Sequence, residues 1–316
     1  MKIAITGCAG FIGSNFLDDL IQDDNEVIGI DNFSTGRKEF LEKSINNKKF
    51  SLVNEDLFSS NSLPEIFKSC DLVIHLSANA DVRFGLEHTS RDLNQNTIVT
   101  YKILEAMRIN KIKKIVFSST GSVYGDSKII PTPENTNFPI QTSLYAASKL
   151  AAEGLISSYS NGFEIQSWIF RFVSILGPRY SHGHVYDFYK KLILNQKELE
   201  VLGNGKQRKS YLHIKDCISG VKTALEKSDD LINIFNLGTD DYCEVNDSIN
   251  WIINDLGINP KINYTGGDRG WIGDNPFIYL DTKKIRNLGW SSKFSIKNSI
   301  LSTLDYLKEN QWLINQ

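Results

Sequence analysis

The chain has little of what would tie it to a membrane, a nucleic acid or a metal. No apolar run reaches the roughly 20 residues that a bilayer-spanning helix needs, so no membrane association is expected. The formal charge is only −2, from 35 basic and 37 acidic residues, and lacks the basic excess of a nucleic-acid-binding surface. Four cysteines, Cys8, Cys70, Cys217 and Cys243, are scattered without a C-x-x-C pair, which fits reduced thiols in a cytoplasmic protein. His182 and His184 share an H-x-H spacing, but no third ligand type stands nearby, and no metal site is expected. There is no P-loop, no G-x-S-x-G elbow and no internal repeat. Met1-Lys2-Ile3-Ala4-Ile5-Thr6 runs straight into a strand pattern without a signal-like apolar segment, which also points to the cytoplasm.

What is there reads as alternating strands and helices. A chain of 316 residues, 41% apolar and 23% charged, can bury a large core and suits one α/β unit with a smaller appended lobe. Residues 2–6 form a strand pattern, followed by Gly7-Cys8-Ala9-Gly10-Phe11-Ile12-Gly13 and a helical period through Phe16, Leu17, Leu20 and Ile21. In such a strand–turn–helix Gly7 allows the tight turn, Gly10 lets backbone approach a pyrophosphate, and Gly13 lets helix pack on strand. The helix N-terminus then presents unpaired N–H groups to the phosphates. A second strand over 26–30 ends in Asp31, placed to accept from adenosine ribose hydroxyls and to repel a 2′-phosphate, so NAD is expected rather than NADP. Asn32, Ser34, Thr35 and Gly36 follow on the same loop, and Arg37 beyond them reads as surface.

A third strand over 50–53 leads to Asp56 and Leu57, where an adenine amino group can be read. A fourth over 71–76 ends at Leu76-Ser77-Ala78-Asn79, small enough for a dinucleotide to pass close by. A long helix is predicted over 92–108, with Asn96 near its start, and a fifth strand over 114–118 opens into Ser118-Ser119-Thr120-Gly121-Ser122-Val123-Tyr124-Gly125. The alternation implies a parallel, doubly wound sheet whose ligands bind beyond the strand carboxyl ends.

Tyr145 and Lys149, in Tyr145-Ala146-Ala147-Ser148-Lys149, stand four apart and share one helix face. A free phenol has a pKa of about 10, and bringing it to neutrality takes roughly 4 kcal/mol of stabilisation of its anion. The Lys149 ammonium and the positive ring of an oxidised nicotinamide have the sign to supply it. Tyr145 can then remove the proton of a substrate hydroxyl while hydride leaves the same carbon.

The order and intervals of Gly7, Gly10 and Gly13, of Asp31-Asn32, of the 118–125 segment and of Tyr145/Lys149 resemble the extended short-chain dehydrogenase/reductases. Within them the chain is similar to the nucleotide-sugar epimerases and dehydratases, over nearly its whole length. The resemblance implies an NAD-binding Rossmann domain over 1–172 and a mixed α/β nucleotide-sugar lobe over 173–316, with crossings of the chain between them. It implies Thr120, Tyr145 and Lys149 as the catalytic trio, with Asn96, Ser118 and Phe172 in the cofactor half. It also implies a homodimer formed through the helices over 92–108 and 143–161.

Departures from that pattern carry information. Sugar 4,6-dehydratases place an acidic pair after the catalytic threonine, whereas this chain has Gly121 and Ser122, neither of which can act as that acid or base. Dehydration is therefore discounted, and both residues are read as lining the sugar. A sixth strand is expected over 164–170. After it, Ser174 stands where many relatives have Asn, and a hydroxyl replaces only one of the amide's hydrogen bonds. His184 and Val185 are placed to line the sugar or base pocket. In Gly203-Asn204-Gly205-Lys206-Gln207-Arg208-Lys209 the usual diphosphate-binding Arg is Lys209, which keeps the charge but loses the bidentate fork. Arg208 beside it competes for the role, and Arg269, in the second basic loop over 266–274, is the candidate for the other side of the diphosphate. His75 reads as packed and hydrogen-bonded. Residues 296–312 read as a closing amphipathic helix. The expected reaction is oxidation at C4 of a nucleoside-diphosphate sugar through a 4-keto intermediate. A 4-epimerase is preferred; a C4-dehydrogenase that releases the keto sugar stays open, as does the identity of nucleobase and sugar.

Overall fold

Short runs that are apolar on both faces can only sit in the middle of a sheet covered on both sides, and the chain supplies several. In the computed structural model, which describes residues 1–79, 84–137, 139–270 and 277–315, they contribute β1 (Lys2–Thr6), β2 (Glu26–Asp31), β4 (Leu72–His75), β5 (Lys114–Thr120) and β6 (Gln166–Phe172), while the more polar Phe50–Asn54 forms the edge strand β3. With the later strand Ile232–Leu237 they make one seven-stranded sheet in the order Ile232–Leu237, β6, β5, β4, β1, β2, β3. The pairs β1–β2, β2–β3, β1–β4 and β4–β5 are parallel. The winding direction reverses between β1 and β4, which makes that point the switch where doubly wound sheets bind ligands.

The connecting helices are α1 (Phe11–Gln22), α2 (Leu63–Ile66), α3 (Thr89–Asp92), α4 (Val99–Asn110) and α5 (Leu144–Phe163). Val99, Ile103, Leu104 and Met107 of α4 and Ala152 and Ile156 of α5 close over Val73, Ile115, Phe117 and Ile169 of the sheet. Each such aliphatic or aromatic side chain stabilises the fold by about 1.5–3 kcal/mol when fully buried. The Ser143 hydroxyl caps α5 by accepting from Ala146 N at 3.1 Å, and Glu164 ends it in the left-handed region at φ 54°. The single helix expected over 92–108 is a longer helical run in three pieces: α3, a π-helical stretch Leu93–Ile98, and α4. At its far end the Thr100 hydroxyl takes the Asn96 carbonyl at 2.5 Å, a side-chain bond that competes with regular helical pairing.

By contact, the chain forms two compact units. The first holds Met1–Val123, Gln141–Arg171 and Ala224–Phe235; the second holds Tyr124–Ile140, Phe172–Thr223 and Asn236–Gln316. The chain thus crosses between units several times, and the Ile232–Leu237 strand returns to extend the sheet beside β6. In the second unit α6 (His184–Leu194) packs with the helices Val245–Leu256 and Ile296–Glu309. Short strand pairs join Ser174–Leu176 to Tyr211–His213 and Glu198–Val201 to Lys261–Tyr264.

Candidate active site

The turn after β1 is built so that no side chain stands in it. Gly7 has φ +71°, and a Cβ there would lie 2.9 Å from Ser77 N; a Cβ on Gly13 would lie 2.0 Å from Gly7 O. Neither backbone neighbour can yield. Gly10 caps α1 with no side-chain hydrogen bond, so only backbone stands at the positive dipole end of the helix. Asp31, at the end of β2, is buried, accepts from Ala9 N at 2.9 Å and Phe33 N at 2.8 Å, and so joins this turn to the next. Burial pushes its carboxyl pKa up, against those two hydrogen bonds. Gly36 lies within 2.7 Å of Asp31 Oδ1, measured from where a Cβ would be. A glycine turn leading into a helix N-terminus, with a carboxylate one strand away, matches the needs of a pyrophosphate and its ribose.

The neighbouring loops are ordered by their own side chains. Asn32 Nδ2 donates to Asp56 Oδ2 at 2.7 Å, and its Oδ1 accepts from Ser34 N at 3.0 Å; Ser34 and Thr35 are exposed. Asp56 also accepts from Phe58 N and Ser59 N. Leu57 departs from expectation: its side chain is buried in the sheet core, so only its backbone can face an adenine. Leu76, Ser77 and Ala78 are half-buried past the end of β4. Phe11 is largely covered and Ile12 half-buried in the first turn of α1.

The first unit brings Thr120, Tyr145, Lys149, Ser118 and Asn96 together. The Tyr145 hydroxyl hydrogen-bonds to Thr120, whose Oγ1 also accepts from Ser122 N at 3.1 Å. Lys149 Nζ donates to the Ser118 carbonyl at 2.8 Å and lies 4.7 Å from the Phe117 ring centroid. Burial pushes the Tyr145 phenol up to about 12, with the Thr120 bond acting downward and Asp92 upward. Burial also pushes Lys149 down to about 7, against the carboxylates of Glu153 and Asp92. Desolvation is the largest influence on both groups, and the lysine is held by a carbonyl and a ring.

Sequence reasoning missed what stands behind Lys149. Glu153, one further turn along α5, is buried, accepts from the Ser119 hydroxyl, and pairs with Arg171 Nη2 at 2.6 Å and Nε at 3.1 Å. The spacing Tyr145, Lys149, Glu153 is itself the signal, since i, i+4, i+8 positions share a helix face. Asn96 is also buried: its Nδ2 donates to Ser148 Oγ at 2.8 Å, its Oδ1 accepts from Asn79 N at 2.8 Å, and Ser148 Oγ donates to Tyr145 O at 2.7 Å.

The other predicted positions fall in the second unit, apart from Gly121 and Ser122, which start the turn Gly121–Tyr124 after β5. Phe172 is buried at the end of β6, and Ser174 is exposed at the start of the next strand. His184 is held by Ser248 Oγ at 2.8 Å and stacks on Tyr211 at 4.7 Å; burial, then the Lys209 charge, push it down to about 3. Val185 has no exposed surface: with Phe188 and Leu192 it forms the core face of α6, so its side chain lines no pocket. The strand Arg208–Lys209 separates its two cations. Arg208 is exposed over the rings of Phe277, 4.5 Å away, and Tyr242, whereas Lys209 is half-buried on the His184 side. Arg269 Nη2 pairs with Asp126 at 2.9 Å; residues 271–274 of its loop lie outside the described residues. Among the described residues no cluster of His, Cys, Asp or Glu can hold a metal ion, and no helix is long and apolar enough to cross a membrane.

The sequence profile of the NAD dependent epimerase/dehydratase family matches residues 3–238. The chain belongs to that family. It is 33% identical to a putative UDP-glucose 4-epimerase of Methanocaldococcus jannaschii over 315 residues, covering 98% of this chain and 99% of that protein. A crystal structure of UDP-galactose 4-epimerase superposes with a TM-score of 0.87 at 33% identity, covering 99% of this chain and 100% of that one. The UDP-glucuronic acid 4-epimerase of Bacillus cereus, in complex with UDP-glucuronic acid and NAD, superposes with a TM-score of 0.90 at 29% identity, covering 98% and 99%. As a member of an NAD-dependent family, the chain is an enzyme, and the glycine turn and Asp31 are the parts of it that fit NAD.

Proposed function

We propose that the chain is a nucleoside-diphosphate-sugar 4-epimerase that uses NAD, with a UDP-hexose as the substrate class. The observation that carries the reading is the Tyr145–Thr120 hydrogen bond beside buried Lys149, followed at once by Gly121 and Ser122. A proton acceptor for a sugar hydroxyl is present, and neither residue after Thr120 is the acid or base that loss of water would need. The activities named for the relatives support the same reaction and the UDP class.

When bound, NAD supplies a hydride acceptor and donor for C4 and a positive charge that favours the phenolate. The Gly7, Gly10 and Gly13 backbone and the α1 N-terminus would hold its pyrophosphate, and Asp31 its adenosine ribose. Tyr145 takes the proton of the C4 hydroxyl and later returns it, while Thr120 donates to the phenol oxygen as it becomes anionic. Lys209 and Arg269 neutralise the sugar diphosphate, and Ser174 contacts the base. On α5, Ala151, Gly154 and Ser158 are exposed, as are Tyr101 and Ile109 on α4; this small and apolar surface supports a homodimer. Four free, buried cysteines support a cytoplasmic location.

The test is incubation of the enzyme with UDP-galactose or UDP-glucose and NMR of the products. Inversion at C4 without net NADH release supports the epimerase. An accumulating 4-keto sugar would replace it with a C4-dehydrogenase, and solvent deuterium at C6 with a dehydratase.

A further inference from the structure

His75 ends β4 with no exposed surface, and the proton positions around it have one consistent solution. Thr100 Oγ1 lies 2.5 Å from the Asn96 carbonyl, and a carbonyl only accepts, so the single Thr100 proton is committed there. Thr100 Oγ1 is also 3.0 Å from His75 Nε2; the proton of that bond must therefore come from the ring. On the other side, Thr6 Oγ1 is 2.9 Å from His75 Nδ1 and accepts from Ser77 N at 3.3 Å. A neutral ring protonated on Nε2 leaves Nδ1 to accept the Thr6 proton, and every hydrogen in the chain then has an acceptor. An imidazolium would turn Nδ1–H onto Thr6 and strand that hydroxyl's own proton in the core, at the cost of an unmet buried donor. Lys149 on α5 faces the ring as well, and burial first, then this cation, push His75 down to about 3.

We infer that His75 is a positioning residue: as the neutral Nε2–H tautomer it fixes the π-helical stretch bearing Asn96 to the sheet's switch point, and through Asn96 and Ser148 it sets the turn of α5 that carries Tyr145. The string runs Ser77 N, Thr6, His75, Thr100, Asn96 O, and from the Asn96 amide to Ser148 and the Tyr145 carbonyl. It joins the loop after β4, where a Cβ on Gly7 would lie 2.9 Å from Ser77 N, to the residue proposed as the base. Such a chain carries orientation because its members are buried or half-buried and each is held by the next; the Asn96 amide, whose shortest bond is to Ser148 at 2.8 Å, also reaches Asn79 O and Asp92 Oδ1 at 3.5 Å.

The tautomer is tested on the full-length, NAD-loaded enzyme with 15N-labelled histidine. The His75 resonances, assigned with a His75→Gln variant, are expected to show Nε2–H and no titration between about pH 6 and pH 8. An Nδ1–H tautomer or an imidazolium in that range overturns the inference. The positioning role is tested with Thr100→Val, which cuts the ring from the Asn96 carbonyl at nearly constant volume. We expect kcat to fall about tenfold with KM within about twofold, and Thr100→Ser to restore kcat to within about twofold. An unchanged kcat in Thr100→Val, or no rescue by Thr100→Ser, overturns it. The kcat readout rests on the epimerase reading and the NMR readout does not. A wild-type enzyme inactive on UDP-hexoses would defeat that reading, and the tautomer alone would then decide this inference.

Discussion

Lys149 donates to the main-chain carbonyl of Ser118 at 2.8 Å. That bond fixes the lysine to β5, two residues before Thr120, and so ties the α5 turn bearing Tyr145, the proposed base, to the strand bearing Thr120. The chain's own groups leave the Tyr145 phenol protonated, with burial pushing it up to about 12. The proposed reaction needs that phenol acidified, and the Thr120 bond acts in that direction.

Tyr145→Phe removes the proposed proton acceptor and little else, since the main-chain oxygen that Ser148 uses is kept. Turnover of UDP-galactose is expected to fall about 10²–10⁴-fold with the fold intact by circular dichroism. Undiminished turnover would show that the phenol is not the base.

Glu153→Gln should act in two ways. Lys149 loses its largest upward influence, so the limb of the kcat–pH profile that belongs to it moves to lower pH. Arg171 is left as an uncompensated buried charge, which costs about 3–5 kcal/mol and is read as a lower urea midpoint. A profile that stayed in place would separate Glu153 from the lysine.

Acid should destabilise the protein through its buried histidines. His75, His184 and His213 are pushed down by burial to about 3, 3 and 4. The unfolded chain binds protons at these sites below about pH 6.5 while the folded one does not, so stability is complete above that pH and is lost as pH falls toward the folded values. His75 alone contributes a loss of about 2 kcal/mol between pH 6.5 and pH 5. Urea titrations at the two pH values check this, and His75→Gln should reduce the difference.

Gly13→Ala places a methyl carbon within 2.0 Å of Gly7 O. The turn must open, and retained NAD, measured by nucleotide release from the purified protein, should fall at least tenfold. Full retention would mean that the dinucleotide does not use this turn.

Lys209 and Arg208 should differ although they are adjacent. Lys209→Ala is expected to raise KM for the sugar nucleotide about tenfold, or roughly 1.4 kcal/mol, with kcat changed little. Arg208→Ala should leave KM unchanged and cost stability of about 0.5–1 kcal/mol from its ring contacts.

The parts of the site held by local rules were legible in the sequence. The glycine turn, the strand ending in Asp31 and the i, i+4 Tyr145/Lys149 pair each depend on residues close in the chain. β1 matches its expected span, and the other strands of the sheet's first half differ from theirs by one or two residues. What escaped was set by distance in the chain. Ser119 and Glu153 meet across 34 positions and Arg171 and Glu153 across 18, so only the assembled sheet brings them together. Which way the side chains of Leu57 and Val185 turn was not legible, because position in a motif does not say it; core packing took both side chains. The desolvation of Tyr145 and Lys149 was not legible either, because a sequence gives the sign of a charge but not its burial or what holds it.

The stretch Leu93–Ile98 winds wider than the helices on either side of it, and that slack has a consequence for evolution by insertion and deletion. An α-helix advances about 100° per residue, so losing a single residue there would let the run wind uniformly and swing Asn96 away from Ser148. A shortened lineage would keep a sound backbone and a straighter rod. It would also lose the amide that now braces the Tyr145 turn, which makes this the place where a one-codon change can silence the enzyme without unfolding it.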